Sequence, residues 1–258
     1  MNTLNKIVLL SFALIVSGCV TVTDSRFSKK VDNEKAVENY VALGVAYIQD
    51  GNMPLARKKI ERALEIAPES PAAHSAMATY WIERGEYDLA ESEFKTALDY
   101  DADHSPTNYH YGRFLFVVRK AEKGCEYIKR AAADVDYTAR VIAFENLGLC
   151  FSQFKQERLS MDAFERAWSL DSNSTISSLN LAAIYLQRNR IDIAKRWFDR
   201  FEASLKDQER EHSAASLYLG VALSKALRDK NAHASYAFKL RKRFPKSQEY
   251  KAYLASQR

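Results

Sequence analysis

The chain has 258 residues, 47% apolar and 28% charged, with only eight Gly and five Pro, a composition that excludes a disordered or fibrous chain and a turn-dense sandwich or barrel. Thirty-eight Lys and Arg stand against 33 Asp and Glu, a formal charge of +5, which is too small a surplus to suggest nucleic-acid binding and names no partner. The length suits one or two ordinary domains or one elongated repeat array.

Residues 1–18, MNTLNKIVLLSFALIVSG, place Lys6 ahead of an uncharged run over 7–16 and close on Ser17 and Gly18, the pattern of a signal peptide. The run falls well short of the roughly 20 apolar residues that a membrane helix needs, and no later segment comes close. Val16-Ser17-Gly18-Cys19 resembles the lipobox of bacterial lipoproteins. The resemblance implies cleavage before Cys19 and acylation of its thiol, so that several acyl chains on one residue give stable anchoring. Ordinary secretion with a free or buried Cys19 is the alternative. Val20 rather than Asp at the next place implies, by the same resemblance, the outer membrane over the inner one, with the protein on its periplasmic face. Residues 19–36 are polar, show no helical stripe, and read as the lipidated N-terminus and a tether.

From residue 37 the sequence repeats with a period of 34. Leu43-Gly44, Tyr47, Ala56, Ile60, Ala63 and Pro68 recur as Met77-Ala78, Trp81, Ala90, Phe94, Ala97 and Ala102. The turn glycines Gly51 and Gly85 keep the same interval. Later copies show Tyr111-Gly112 with Ile128, Leu147-Gly148 with Phe164, Leu181-Ala182 with Phe198, and Leu219-Gly220 with Tyr236. Six copies cover 37–70, 71–104, 105–140, 141–174, 175–212 and 213–246. The pattern resembles the tetratricopeptide repeat, which implies an all-α fold: a right-handed superhelix of six helix-turn-helix units with one continuous core and a concave face. Two offsets, 36 and 38, exceed the period and are expected to lengthen turns between copies. Gly124 and Ser160 at the twentieth place, and Phe201 and Lys239 at the twenty-seventh, depart from the Ala of the pattern, so copies three to six are expected to pack less regularly. Residues 247–258 read as a basic tail. Residues 223–258 hold ten Lys and Arg against two acids, either a solvated capping helix or a contact for anionic lipid or an acidic partner.

No catalytic or metal constellation emerges. The five histidines, His74, His104, His110, His212 and His233, include no pair at the four-residue interval of zinc hydrolases. A glycine-rich phosphate loop, a nucleophile elbow and Cys-x-x-Cys are all absent, so no enzyme activity, cofactor or small-molecule substrate is expected. Trp81, Trp168 and Trp197 fall at helical spacing and read as core rather than a ligand cage. Cys125 and Cys150 occupy helix B of the third copy and helix A of the fourth, elements that stack in such arrays, and an envelope location permits a disulfide. Two buried reduced thiols are the alternative.

Helix A lines the concave face of a tetratricopeptide array at its second, fifth, ninth, twelfth and thirteenth places. In the first copy these hold Glu38, Val41, Val45, Ile48 and Gln49, an apolar strip where a monomer normally shows polar groups. Ile82 continues it, and Tyr109, Arg113 and Phe116 add an aromatic and cationic ledge suited to an extended or helical peptide. The expected partner-binding residues are therefore Val41, Val45, Ile48, Ile82, Tyr109, Arg113 and Phe116, unless residues 31–37 fold over the strip as a cap. A lipoprotein with six such repeats, and with Tyr40-Val-Ala-Leu-Gly-Val-Ala-Tyr47 followed by Ala56-Arg-Lys-Lys-Ile60, resembles the pilotins of the type IV pilus secretin, the PilF/PilW family. The resemblance implies an assembly factor that binds secretin subunits, carries them to the outer membrane through its lipid and promotes their multimerisation. The competing expectation is an adaptor for peptidoglycan hydrolases or for outer-membrane protein assembly.

Overall fold

The computed structural model describes residues 26–257. The signal-like segment, Cys19 and the first part of the expected tether lie outside the described residues. Thirteen α-helices and no strand occur among those described: α1 (Arg26–Gln49), α2 (Met53–Ile66), α3 (Pro71–Glu83), α4 (Tyr87–Tyr100), α5 (Ser105–Val117), α6 (Lys123–Ala133), α7 (Arg140–Gln153), α8 (Glu157–Leu170), α9 (Thr175–Gln187), α10 (Ile191–Asp207), α11 (Ala214–Ala226), α12 (Lys230–Arg243) and α13 (Gln248–Ala255). None of these is long and apolar enough to cross a membrane. Consecutive odd and even helices pack as six hairpins, and each hairpin stacks on the next, the all-α tetratricopeptide architecture.

Local signals start and stop these helices. Asn52, Ser70, Ser174, Ser213, Asp229 and Ser247 cap the helices that follow them by accepting backbone N–H bonds, which satisfies amides that a helix start leaves unpaired. The hairpin turns need a left-handed residue. Gly51 and Gly85 supply it at φ 73° and 76°, without the steric cost a Cβ carries there. The later hairpins use Lys120, Lys155, Asn189 and Arg228 instead, at φ 55° to 60°.

The 34-residue pattern is a packing code. Ile60, Phe94, Ile128, Phe164 and Phe198, all at the same place of helix B, are at most 2% exposed, each contributing roughly 1.5–3 kcal/mol of apolar burial. Opposite them a small residue lets the helices close: a Cβ on Gly44 would stand 2.5 Å from Ile60 Cγ1. Two of the expected irregularities prove to be tight contacts. A Cβ on Gly124 would lie 2.5 Å from the Gly112 carbonyl oxygen, so backbone meets backbone in the third hairpin. Ser160 is fully buried and donates to the Gly148 carbonyl at 2.8 Å. The irregularity falls instead on the last two hairpins. Buried Phe201 belongs to α10, which runs to 17 residues, and α12 buries only Leu240.

Three boundaries differ from the sequence expectation. Residues from Arg26 onward, read as tether, already belong to α1, because Val37 buries against Ala63 and Ala73 and extends the hydrophobic face toward the N-terminus. The 36-residue offset lengthens the turn between α6 and α7, over 134–139, and the 38-residue offset lengthens the turn between α10 and α11 equally, over 208–213, and also extends α10. Residues 248–255, read as tail, form α13, capped by Ser247 and packed beside α11. Between α6 and α7, Cys125 and Cys150 are joined by a disulfide, S–S 2.05 Å and Cα–Cα 5.6 Å, both fully buried.

Candidate functional site

Helices α1, α3 and α5 stand side by side on the inner face of the first three hairpins, and between them runs a groove of about 560 Å³. Its floor exists because α3 carries small residues there: Ala72, Ser75, Ala76 and Thr79. Val41, Val45 and Ile48 form the α1 wall, and Pro106, His110 and Arg113 form the α5 wall. Gln49 and Glu83 lie at one end. At Val41 and Ala72 the groove opens into a second recess of about 630 Å³ beside the N-terminal half of α1, where Val37, Ala42 and Ala67 keep it apolar. Residues 33–37 stay within α1 and flank this recess; they do not fold over the strip.

Four of the seven expected contact residues, Val41, Val45, Ile48 and Arg113, line the groove. The other three do not. Ile82 packs with Trp81 against the core of the second and third hairpins. Tyr109 and Phe116, 6% and 8% exposed, join the cluster around the disulfide. Tyr109 turns inward because the next hairpin offers it partners: Asn146 Nδ2 on α7 donates to its hydroxyl at 3.2 Å, and the Tyr137 ring, in the turn before α7, lies 6.1 Å away. Burial raises its pKa. The expected aromatic ledge is thus a support, with the exposed Arg113 guanidinium packed over the Tyr109 ring at 5.7 Å.

The sequence reading missed the floor residues, since Ala and Ser on a helix face carry no chemical signal of their own, and it missed both groove histidines. His104 caps α5, its Nδ1 accepting from the Thr107 amide at 3.3 Å. Burial lowers its pKa, opposed by Asp101. Crowding by the groove walls, with Arg113 and His104 beside it, holds His110 below the usual histidine range although its ring stays partly open to solvent. The groove therefore pairs an aliphatic α1 wall with a floor and an α5 wall that mix Ala and Pro with polar groups, and it carries one cation at Arg113 and one carboxylate at Glu83. That arrangement suits an apolar segment laid along the helices and oriented by its polar ends.

Trp168 and Trp197 meet edge to face at 5.1 Å, and the chain's own Arg200 stacks on both at 4.6 and 4.4 Å. Among the described residues no three His, Cys, Asp or Glu side chains converge as a metal site would require.

A tetratricopeptide repeat family model matches residues 37–70, the copy that supplies the α1 wall. The type IV pilus assembly protein PilF of Pseudomonas aeruginosa is 32% identical over 245 residues, 94% of this chain and 95% of that one. A solved structure from the functional characterisation of Pseudomonas aeruginosa PilF superposes with a TM-score of 0.78 at 31% identity, covering 87% of this chain and 99% of that one. The crystal structure of PilW, a widely conserved type IV pilus biogenesis factor, shares the fold with a TM-score of 0.71 at 24% identity, covering 84% and 98%.

Proposed function

Since the chain belongs to the PilF family of tetratricopeptide proteins in type IV pilus biogenesis, we propose that it acts as a pilotin: an outer-membrane lipoprotein, anchored through Cys19, that binds secretin subunits and promotes their localisation and multimerisation. Tetratricopeptide arrays serve protein–protein interaction, and no covalent chemistry is needed for this role. The observation that carries the reading is the open groove on α1, α3 and α5 with its aliphatic α1 wall, where Val41 and Val45 stay half-exposed and would gain by being covered. The lipobox-like residues 16–19 support the anchored location, because acylation would tie the first hairpin, and with it the groove, close to the membrane surface.

The test uses two variants in a deletion strain. Val45→Glu places a charge in the groove wall at a half-buried position, and should abolish co-purification of secretin while leaving the circular dichroism spectrum and melting midpoint near wild type. Ile48 is a poor choice for the same test, as it is 9% exposed and belongs to the core of the first two hairpins. Cys19→Ser should release the protein from the outer-membrane fraction and strand secretin as monomer. Full secretin capture by Val45→Glu would move the site elsewhere, and normal pili with a cell-shape defect would favour the adaptor for peptidoglycan hydrolases.

A further inference from the structure

The last hairpin breaks the surface rule that the first five keep. On the outer face of helix B, three places per copy are polar throughout the earlier copies: Lys58, Glu61 and Arg62 in α2, Ser92, Lys95 and Thr96 in α4, and charged side chains at all three in α6, α8 and α10. In α12 the same places hold Ala234, Ala237 and Phe238, and Phe238 is 53% exposed. A second substitution sits across from it. Six copies carry Gly or Ala at the eighth place of helix A, where helix B closes in, but α13, which starts a seventh copy in register, carries Leu254 there, 47% exposed. No helix B follows α13 among the described residues, so these apolar groups face a trough of about 360 Å³ between α12 and α13, with Tyr250 and Tyr253 on its far side.

An outer face that met only water would keep the polar residues of the five earlier copies; this one replaces them with apolar ones. Charge identifies what covers them. Arg241 lines the trough and stacks on Phe238 at 5.7 Å, and the same two helices and the link between them carry exposed Lys239, Lys242, Lys246 and Lys251. The nearby acids are few: Asp229 is engaged in capping α12, and Glu249 lies in the first turn of α13. The trough is concave and flanked by two helices, a shape filled by the side-chain ridge of a third helix and bridged by a flat bilayer.

We propose that this C-terminal face is a second docking site, separate from the α1–α3–α5 groove, and that it takes an amphipathic helix of a partner protein whose apolar stripe is flanked by Asp and Glu. The inference stands on α12 and α13 and does not require the groove to bind secretin.

The probe is a fluorescein-labelled helical peptide of about five turns with Leu at i, i+3, i+4 and i+7 and Glu beside them, and a matched peptide with Lys in place of Glu is the control. Anisotropy with the intact protein should show saturable binding of the Glu peptide that weakens with salt, and little binding of the Lys peptide. Phe238→Ser and Arg241→Glu, both at exposed positions, should each weaken it about tenfold, a loss of about 1.4 kcal/mol, while Val45→Glu leaves it unchanged. The proposal is overturned by absence of saturable binding, by equal binding of the Lys peptide, or by Phe238→Ser and Arg241→Glu binding as wild type. It is also overturned if the same two variants abolish binding to phosphatidylglycerol vesicles while the peptide is ignored, which makes the face a lipid contact. Concentration-dependent dimerisation lost in Phe238→Ser, again without peptide binding, would make the occupant a second copy of this chain.

Discussion

His74 Nδ1 donates to Glu93 Oε2 at 2.7 Å, tying the first turn of α3 to the middle of α4, while its Nε2 lies 2.9 Å from the Pro68 carbonyl in the link from α2. A carboxylate and a carbonyl can only accept, so both ring nitrogens must donate and the imidazole is held as the cation. Its pKa is raised, chiefly by the Glu93 bond against the opposing effect of burial.

The sign of the resulting pH dependence follows. A histidine with a raised folded pKa contributes stability that is fully present below its unfolded value of about 6.5 and is lost as pH rises through the folded value. His74→Ala should therefore cost about 1–2 kcal/mol at pH 6 and progressively less at higher pH. Urea melts of both proteins across that range give the difference curve, and a difference independent of pH would mean that His74 acts only by packing.

His104 carries the opposite sign. It caps α5 as an acceptor, and its folded pKa is lowered by burial, so its contribution is present above about 6.5 and is lost as pH falls through the lower folded value. His104→Asn keeps a capping oxygen that does not titrate. The variant should melt near wild type at pH 7.5 and above it at pH 5, an ordering that the same denaturation series can reject.

The Cys125–Cys150 bond closes a loop 25 residues apart in sequence, between α6 and α7. In the chain-entropy account such a loop stabilises by roughly 3–4 kcal/mol. Protein exported to the periplasm should show no alkylatable thiol at these positions when denatured without reductant, and two after reduction. The Cys125→Ala, Cys150→Ala pair should lower the denaturation midpoint correspondingly, and two thiols alkylated before reduction would remove the bond from the native protein.

The helices and their core were legible in the sequence because the repeat states each contact six times, so that Ile60, Phe94 and Phe164 announce the same buried place. Position within the concave face was legible at Val41 and Val45, and it failed at the equally aliphatic Ile82, which packs on the core of the second and third hairpins. It failed also at Tyr109 and Phe116, whose direction is set by Asn146, Tyr137 and the disulfide cluster of the neighbouring hairpin. A periodic pattern records which face a residue occupies; it does not record which neighbour competes for its ring. The floor of the groove was illegible for a related reason. Concavity comes from what Ala72, Ser75 and Ala76 lack, and only the larger walls on α1 and α5 turn that lack into a recess.

Ala72 tests the groove by volume alone. It lines both the groove and the apolar recess beside α1 and is only half-buried, so a larger side chain can extend into the open space without displacing core. Ala72→Phe adds apolar surface and no charge. If the groove binds an apolar segment because of its shape, the substitution should reduce secretin capture at least tenfold, more than 1.4 kcal/mol, while thermal stability stays within about 1 kcal/mol of wild type. If the groove were merely a sticky patch, added aromatic surface would strengthen capture instead. Surface plasmon resonance with immobilised secretin periplasmic domain separates the two, and undiminished binding by Ala72→Phe alongside loss in Val45→Glu would confine the contact to the Val45 end of the strip.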